Sequence, residues 1–485
     1  MLQRITHFIF TAALLAISGN AFAQESWTLE KSILHARQNS LTVKQAQYTT
    51  SLTELSYKQN KYNRLPSINA GGNASYQFGR TIDPTTNTFN NESIGSNSFS
   101  LDVGVTLYNG GFITNSIKQS KIDLQAAQLD TEDAINTISL QVANAYLNVL
   151  LSEEQLENAE KRLELSQFQL DQTDKLIRAG ARPANERLDF VAQTARDEQA
   201  VIEARNLVEI NYLSLKQLLQ LDPRTDIRIV RPEVVIPADA NPEGFTLNEV
   251  YTAALGTQPN IRANALRSQS ALLDESIARA GGLPTVSLYG SLNTYFSSVS
   301  QDFLHPNLDN AVLVPGSPQP IRINGIDALL TEFSYEGITF PKKSYGDQLN
   351  ENFGQSVGIS LRIPIYNNHR NSIAVERARL GVLNQEVFNR QAEQTLKTNI
   401  QQAIASARAA KLSHQASLRS VEAAQAAYDN AKKRFDLGGI NSLEFTNARN
   451  LLDQAQVTLI QAKYQYLFNL KVVDFYLGKP LNLNN

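Results

Sequence analysis

Between Ile113 and Ala179 the chain has neither glycine nor proline. Ala, Leu, Gln and Glu, all good helix formers, dominate this stretch. A helix there is far longer than an ordinary globular one; beyond about 25 residues the pattern means a coiled coil or a helical array. At 1.5 Å per residue it spans on the order of 100 Å. A second such stretch, Ile373 to Leu437, has one interior glycine, Gly381. The expected long helices are 112–179 and 371–436. Each runs into glycine, at Gly180 and at Gly438-Gly439, where tight turns are expected. Return helices are expected at 184–221 and 442–476. Ile373, Leu380 and Val387 step by sevens, and Leu396, Ile400, Ala403, Ala407 and Ala410 continue with changed phase. That seam suits helices packed on two neighbours rather than a two-stranded zipper.

The chain is one plan written twice. Trp27-Thr28-Leu29 recurs as Phe245-Thr246-Leu247, Ala36 as Ala254, and Leu65-Pro66-Ser67 as Leu283-Pro284-Thr285, all at an offset of 218 residues. Tyr108-Asn109 recurs as Tyr366-Asn367, and Asn115-Ser116-Ile117 as Asn371-Ser372-Ile373. Repeat one covers 24–244, closing on a linker at 222–244, and repeat two covers 245–485. Before them, Arg4, the apolar run Phe8–Ile17 and Ala21-Phe22-Ala23 read as a secretory signal peptide over 1–23. Short amphipathic helices open each repeat, and Pro66 and Pro284 then stop helical structure.

Past those prolines the period changes from helical to two. Strands are expected at 67–79, 98–108, 285–296 and 355–366. Phe99, Leu101, Val103, Val105 and Leu107 fall on one side of the second, and Val357, Ile359, Leu361, Ile363 and Ile365 on one side of the fourth. Length and alternation match tilted outer-membrane strands, with aromatics at their ends: Tyr76, Phe78, Phe99 and Phe296 at one, Tyr108 and Tyr366 at the other. A soluble half-buried sheet alternates in the same way. If the strands meet lipid, those ten residues form the lipid face. Four strands cannot close a barrel, and open edges in lipid leave unpaired N–H and C=O groups at several kcal/mol each. Several chains must then share one barrel; two give eight strands with a filled interior, three give twelve with room for a channel.

Composition narrows the rest. A net charge of −3 argues against nucleic acid as a partner. The chain has no cysteine, hence no thiolate ligand or nucleophile. Its five histidines are scattered without ligand spacing, no phosphate-binding glycine loop occurs, and no nucleophile–base arrangement stands out. Neither an enzyme nor a cofactor-binding protein is expected.

The signal peptide, the paired repeats, the Leu-Pro motif before each first strand, the Tyr-Asn after each second, and the glycine turns together resemble TolC-type outer-membrane efflux proteins. The resemblance covers essentially the whole mature chain. It implies a mainly α fold with a small β part: long antiparallel coiled-coil hairpins plus four transmembrane strands per chain. A homotrimer would form a 12-stranded β-barrel in the outer membrane and an α-helical barrel in the periplasm. It further implies a passive exit duct working with a periplasmic adaptor and an inner-membrane transporter, with loops 80–97 and 297–354 outside the cell. Acidic residues just past the tip glycines would form the periplasmic entrance; here these are Glu186 and Glu444, each six residues beyond Gly180 or Gly438. Both also suit helix N-termini, and Asn441-x-x-Glu444 fits a capping box. The second acidic position of repeat two holds Asn447. The family's closing tyrosine and arginine correspond to Phe435 and Ile440, which cannot make those bonds, leaving Arg182 as a substitute. The competing expectation is an exported coiled-coil structural or adhesive protein without a channel.

Overall fold

The computed structural model describes residues 26–82, 87, 89–91, 93–231 and 242–481. The expected signal peptide, most of linker positions 232–244 and part of the loop after Gly79 lie outside the described residues. The first half contains β1 (Ser26–Trp27), α1 (Leu29–Asn39), α2 (Leu41–Tyr62), β2 (Ser67–Gln77), β3 (Thr81–Ile82), β4 (Phe89–Asn90), β5 (Ile94–Asn109), α3 (Phe112–Arg178), α4 (Glu186–Leu219) and β6 (Arg228–Ile229). The second contains α5 (Leu247–Thr257), α6 (Pro259–Ala280), β7 (Thr285–Ser297), β8 (Val312–Pro315), β9 (Gln319–Ile323), β10 (Ile326–Leu330), β11 (Phe333–Glu336), α7 (Tyr345–Glu351), β12 (Gly354–Arg362), α8 (Arg370–Asp436) and α9 (Ser442–Tyr476). The two long helices, α3 and α8, are unbroken over 67 residues each. Matching threonines cap α1 and α5: Thr28 accepts from the Lys31 N–H at 3.1 Å and Thr246 from the Glu249 N–H at 3.3 Å.

The chain divides into two compact units. The first, residues 1–57, 119–272 and 380–485, is mainly helical among its described residues, with β1 and β6 paired in parallel. Its largest core gathers Trp27, Ala36, Val43, Ile138, Val142, Tyr146, Leu150, Leu215, Leu219 and Leu467. The start of α2 and the end of α4 thus share one stretch of α3. The Tyr146 hydroxyl donates to the Val230 carbonyl at 2.6 Å, fixing α3 to the β6 segment, and burial raises its pKa. A second core repeats the arrangement, with Val250 and Ala254 of α5 and Val473 of α9 against Leu396, Ile400, Ala403, Ile404 and Ala407 of α8. The other seam residues, Ile373, Leu380 and Val387, stay exposed in the single chain.

The second unit, residues 58–118 and 273–379, holds a four-stranded sheet in the order β12-β7-β5-β2, antiparallel throughout. Directly opposed residues share a face, so the register sorts the sheet. Ala70, Leu101 and Leu292 form one row; Ile68, Val103 and Val357 lie in the next, across Gly290; Val105, Leu288 and Ile359 form a third. The opposite face carries Asn69, Asp102, Ser291 and Ser356 in one row and Thr106, Ser287 and Ser360 in another. The apolar face is open to solvent in the single chain, with Ile359 69% exposed. Neither β2 nor β12 has a partner along its outer edge among the described residues.

Three strand expectations need correction. β12 stops at Arg362, opposite Thr285, so Ile363 and Ile365 lie beyond it rather than on its apolar side. Pro364 lies between them, and the residue before Thr285 is Pro284, so neither chain offers the donors to extend the ladder. Leu107 sits where a bulge shifts the register, and Tyr108 takes the place opposite Val286. β5 begins at Ile94, four residues early, because Ser96 pairs with Ser75, their hydroxyls 2.8 Å apart; a hydrophobic pattern does not report such a pair.

Loop 297–354 contains a nested antiparallel ribbon. β8 pairs with β11, and inside them β9 pairs with β10 around Asn324-Gly325, both with positive φ as short hairpin turns favour. Its return passes through α7, whose buried Gln348 accepts from the Ser297 N–H at 2.9 Å and donates to the Ser297 carbonyl at 3.1 Å.

Where β5 hands over to α3, Gly110 has φ +65°, and a Cβ there would meet Leu283 Cβ at 2.7 Å. Gly110→Ala should therefore lose more than the ~1–2 kcal/mol that a left-handed backbone alone costs. Gly111→Ala, whose added carbon meets nothing nearer than 3.7 Å, should lose less. Denaturation midpoints of the two variants check the ranking.

Candidate functional site at the helical turns

Both helical hairpins turn in the same way. After α3, the Gly180 N–H returns to Ile177 O at 2.9 Å and Ala181 N–H to Leu176 O at 2.9 Å. After α8, the Gly438 N–H returns to Phe435 O at 2.9 Å and Gly439 N–H to Arg434 O at 2.7 Å. This paired closure needs a left-handed residue, and Gly180 (φ +72°) and Gly438 (φ +74°) supply it. Gly439 lacks positive φ and serves as a donor.

The two acidic candidates fall into different settings. Glu186 opens α4 with its side chain 14% exposed, paired at 3.1 Å with the 12% exposed Arg182. Glu444 is exposed, and its N–H is capped by the Asn441 side chain at 2.8 Å. The helix-capping role expected of Asn441 is thus present, with Glu444 carrying its charge outward beside exposed Asn447.

Arg182 connects the hairpins. Its guanidinium lies 4.0 Å from the centroid of the Phe435 ring and also donates to the Phe435 carbonyl. Phe435 is therefore no empty substitution for a hydrogen-bonding residue: its ring takes the cation and its backbone takes the proton. Behind it, Phe435 stacks on Phe445 at 4.8 Å and 12°, with Phe190 at 6.0 Å and Tyr428 5.7 Å from Phe445. Ile440, Leu452, Ala424 and Ala455 complete the buried cluster. Ser442, at the start of α9, donates to Asp189 on α4.

Deeper in the same unit lies a polar group that periodicity did not mark. Arg449 of α9, 2% exposed at its side chain, bonds Asp197 of α4 at 3.1 Å, Gln169 of α3 at 2.9 Å, the Arg162 carbonyl at 2.7 Å and Ser166 at 3.2 Å. Asp197 also accepts from Ser166 and, at 3.2 Å, from Gln193. Asp453 stands 3.8 Å from Arg449 Nε, too far for a hydrogen bond, and Nε has no other partner. The available sequence signal was a set of polar residues on the inward face of otherwise apolar helices. Among the described residues no group of three or more His, Asp or Glu side chains is placed to hold a metal, and no helix is long and apolar enough to cross a membrane.

Comparison with known proteins adds a family. The model described as "Outer membrane efflux protein" matches residues 33–220 and 342–479, more than half the chain. Outer membrane protein TolC of Escherichia coli (strain K12) is 21% identical over 243 residues, 49% of this chain and 49% of TolC. Protein CyaE of Bordetella pertussis is 22% identical over 341 residues, 70% of this chain and 62% of CyaE. The chain therefore spans about half to three fifths of the length of these curated relatives. The Campylobacter jejuni CmeC outer membrane channel superposes with a TM-score of 0.72 at 17% identity, covering 94% of this chain and 87% of that one. The fold, long helical hairpins with a small antiparallel sheet, is shared.

Burial, more than any neighbour, raises the Asp453 pKa above its ordinary 3.8; Arg449 and Arg162 oppose the shift and Asp197 adds to it. A carboxyl raised in the folded state favours folding most when protonated, and that contribution declines as pH rises from about 4 through the folded pKa. Asp453→Asn removes the titration. The difference in melting temperature, wild type minus variant, should fall across that interval and then level off; a difference that rises with pH would reverse the sign.

Proposed function

This chain belongs to the outer membrane efflux protein family, and on that premise we propose that it is the outer-membrane exit duct of a tripartite efflux or type I secretion system. The observation that carries the proposal is the sheet: four strands, one apolar face open to solvent, and no partner along either outer edge among the described residues. In lipid, only closure by further copies satisfies the edge donors and acceptors. Three copies give twelve strands and leave a lumen, faced by the Asn, Ser and Thr rows. The exposed seam residues Ile373, Leu380 and Val387 would then pack between copies. Phe99, Leu101, Val103, Val105, Val357, Ile359 and Leu361 would face lipid, with Leu107 at the bulge near the rim. Ribbon 297–354 and loop 80–97 would lie outside the cell.

The duct is passive. It has no phosphate-binding glycine loop to capture a nucleotide's energy. An inner-membrane transporter and a periplasmic adaptor would supply energy and continuity, and the helical turns would face them in the periplasm. No catalytic group, cofactor or nucleic acid belongs to this function. At the entrance, three copies of Glu444 would set the cation preference, because Glu186 is already neutralised by Arg182.

Two measurements test this. Leu101→Arg and Ile359→Arg should each impair membrane assembly by about 2–4 kcal/mol near the midplane; undiminished trimer in the outer membrane would contradict the lipid face. In planar bilayers, Glu444→Gln should lower cation selectivity more than Glu186→Gln does. Equal effects would return Glu186 to the ring beside Glu444, and no effect from either would remove the acidic ring from the entrance.

A further inference from the structure

The closure at the turns has two tiers of unequal strength, both inside one protomer. The outer tier is Arg182 on Phe435 and Glu186, with Ser442 on Asp189. Its charged pair is less buried than that of the inner tier, Arg182 and Glu186 being 12% and 14% exposed against 2% and 5% for Arg449 and Asp197, so water replaces a lost partner more readily there. The inner tier is Arg449 with Asp197, Ser166, Gln169 and the Arg162 carbonyl. Here no water replaces a lost partner, and separating one member of a buried charge pair is strongly unfavourable. Two arginines and two aspartates, Arg162, Arg449, Asp197 and Asp453, balance one another in this cluster.

The tiers also differ in reach. Arg182 lies in the first turn and grips the end of α8. Arg449 lies seven residues into α9, about 10 Å along it. From there it bonds both arms of the other hairpin, α3 and α4. A side chain that holds three helices at one level fixes their relative positions there, while the segments beyond it depend on the weaker outer bonds.

We infer that Arg449 is the fulcrum of the gate: the outer tier releases first, and the turns swing about an inner tier that stays made. The inference deepens the duct reading and rests on it for its functional meaning, though not for its geometry. The moving parts are then the first hairpin beyond Gln169 and Gln193 and the second between about Phe435 and Asn447. Each protomer carries these closing bonds within itself. Arg449 is a positioning residue: it touches no exported molecule.

Hydrogen exchange of the full-length protein in detergent, with conductance in planar bilayers, tests it. Arg182→Ala should raise amide exchange about tenfold or more in 176–190 and 435–446. Segments 155–166, 197–208 and 449–460 should stay at the wild-type level, giving a boundary at Arg449. Arg449→Gln should erase that boundary and let exchange rise on both sides. If Arg449→Gln fails to fold, Gln169→Leu, which leaves the Arg449–Asp197 pair intact, should weaken the boundary without abolishing it. Exchange in Arg182→Ala that rises equally above and below Arg449 overturns the fulcrum, as does an Arg449→Gln profile identical to wild type. Conductance separates the two levels: Arg182→Ala should conduct several-fold more than wild type. An exchange boundary with unchanged conductance upholds the fulcrum and sinks the placement of the duct's entrance at the turns.

Discussion

Among the described residues, the backbone groups along the outer edges of β2 and β12 have no strand to pair with, and the proposed assembly depends on that constraint. A sheet of four strands can bury its edges in water or against protein, but not in hydrocarbon. Its apolar face makes water a poor neighbour, and its edges make lipid impossible for one chain alone. In the proposed duct, association with further copies would satisfy both. The exposed seam on α8 then has a purpose: Ile373, Leu380 and Val387 are apolar in a position where the single chain gives them nothing to pack on.

At the helical turns a different balance operates. The aromatic cluster around Phe435 and Phe445 holds the hairpins by area, while Arg182 and Arg449 hold them by charge. Area is non-directional and tolerates sliding; bonded charge is directional and does not. A part that must hold a shape and still move benefits from both. On the proposed fulcrum, the aromatic faces would let the turns shift and the buried guanidinium would limit how far.

Much of this was legible in the chain, for reasons that can be named. A glycine-free run longer than any globular helix leaves few alternatives, and the bounds of α3, α8 and α9 fall within about two residues of their expected places. The strands were legible where apolar residues alternate, and misread where they do not. Ser96 extends β5 through a hydroxyl pair, Pro284 and Pro364 cut β12 short of Ile363, and a bulge takes Leu107 out of register. Ribbon 297–354 hid because its strands are only four or five residues long. At the turns, the glycines, the acidic residues and Arg182 could be marked from spacing. The partners of Arg182 could not, since a cation seeking a ring and a carbonyl leaves no periodic trace. Arg449 and Asp197 lie 252 positions apart, and no local pattern joins them.

The two halves repeat one plan yet differ where it matters. Gly180 and Gly438 turn alike, but one turn is followed by an acid already spent on an arginine and the other by an acid left open. In the proposed trimer, identical halves would make the six turns of the ring equivalent, each presenting the same field. The unlike settings of Glu186 and Glu444 break that equivalence. A charged solute approaching the ring would meet attraction and indifference by turns, every second station silent, and would be guided along three lanes instead of six.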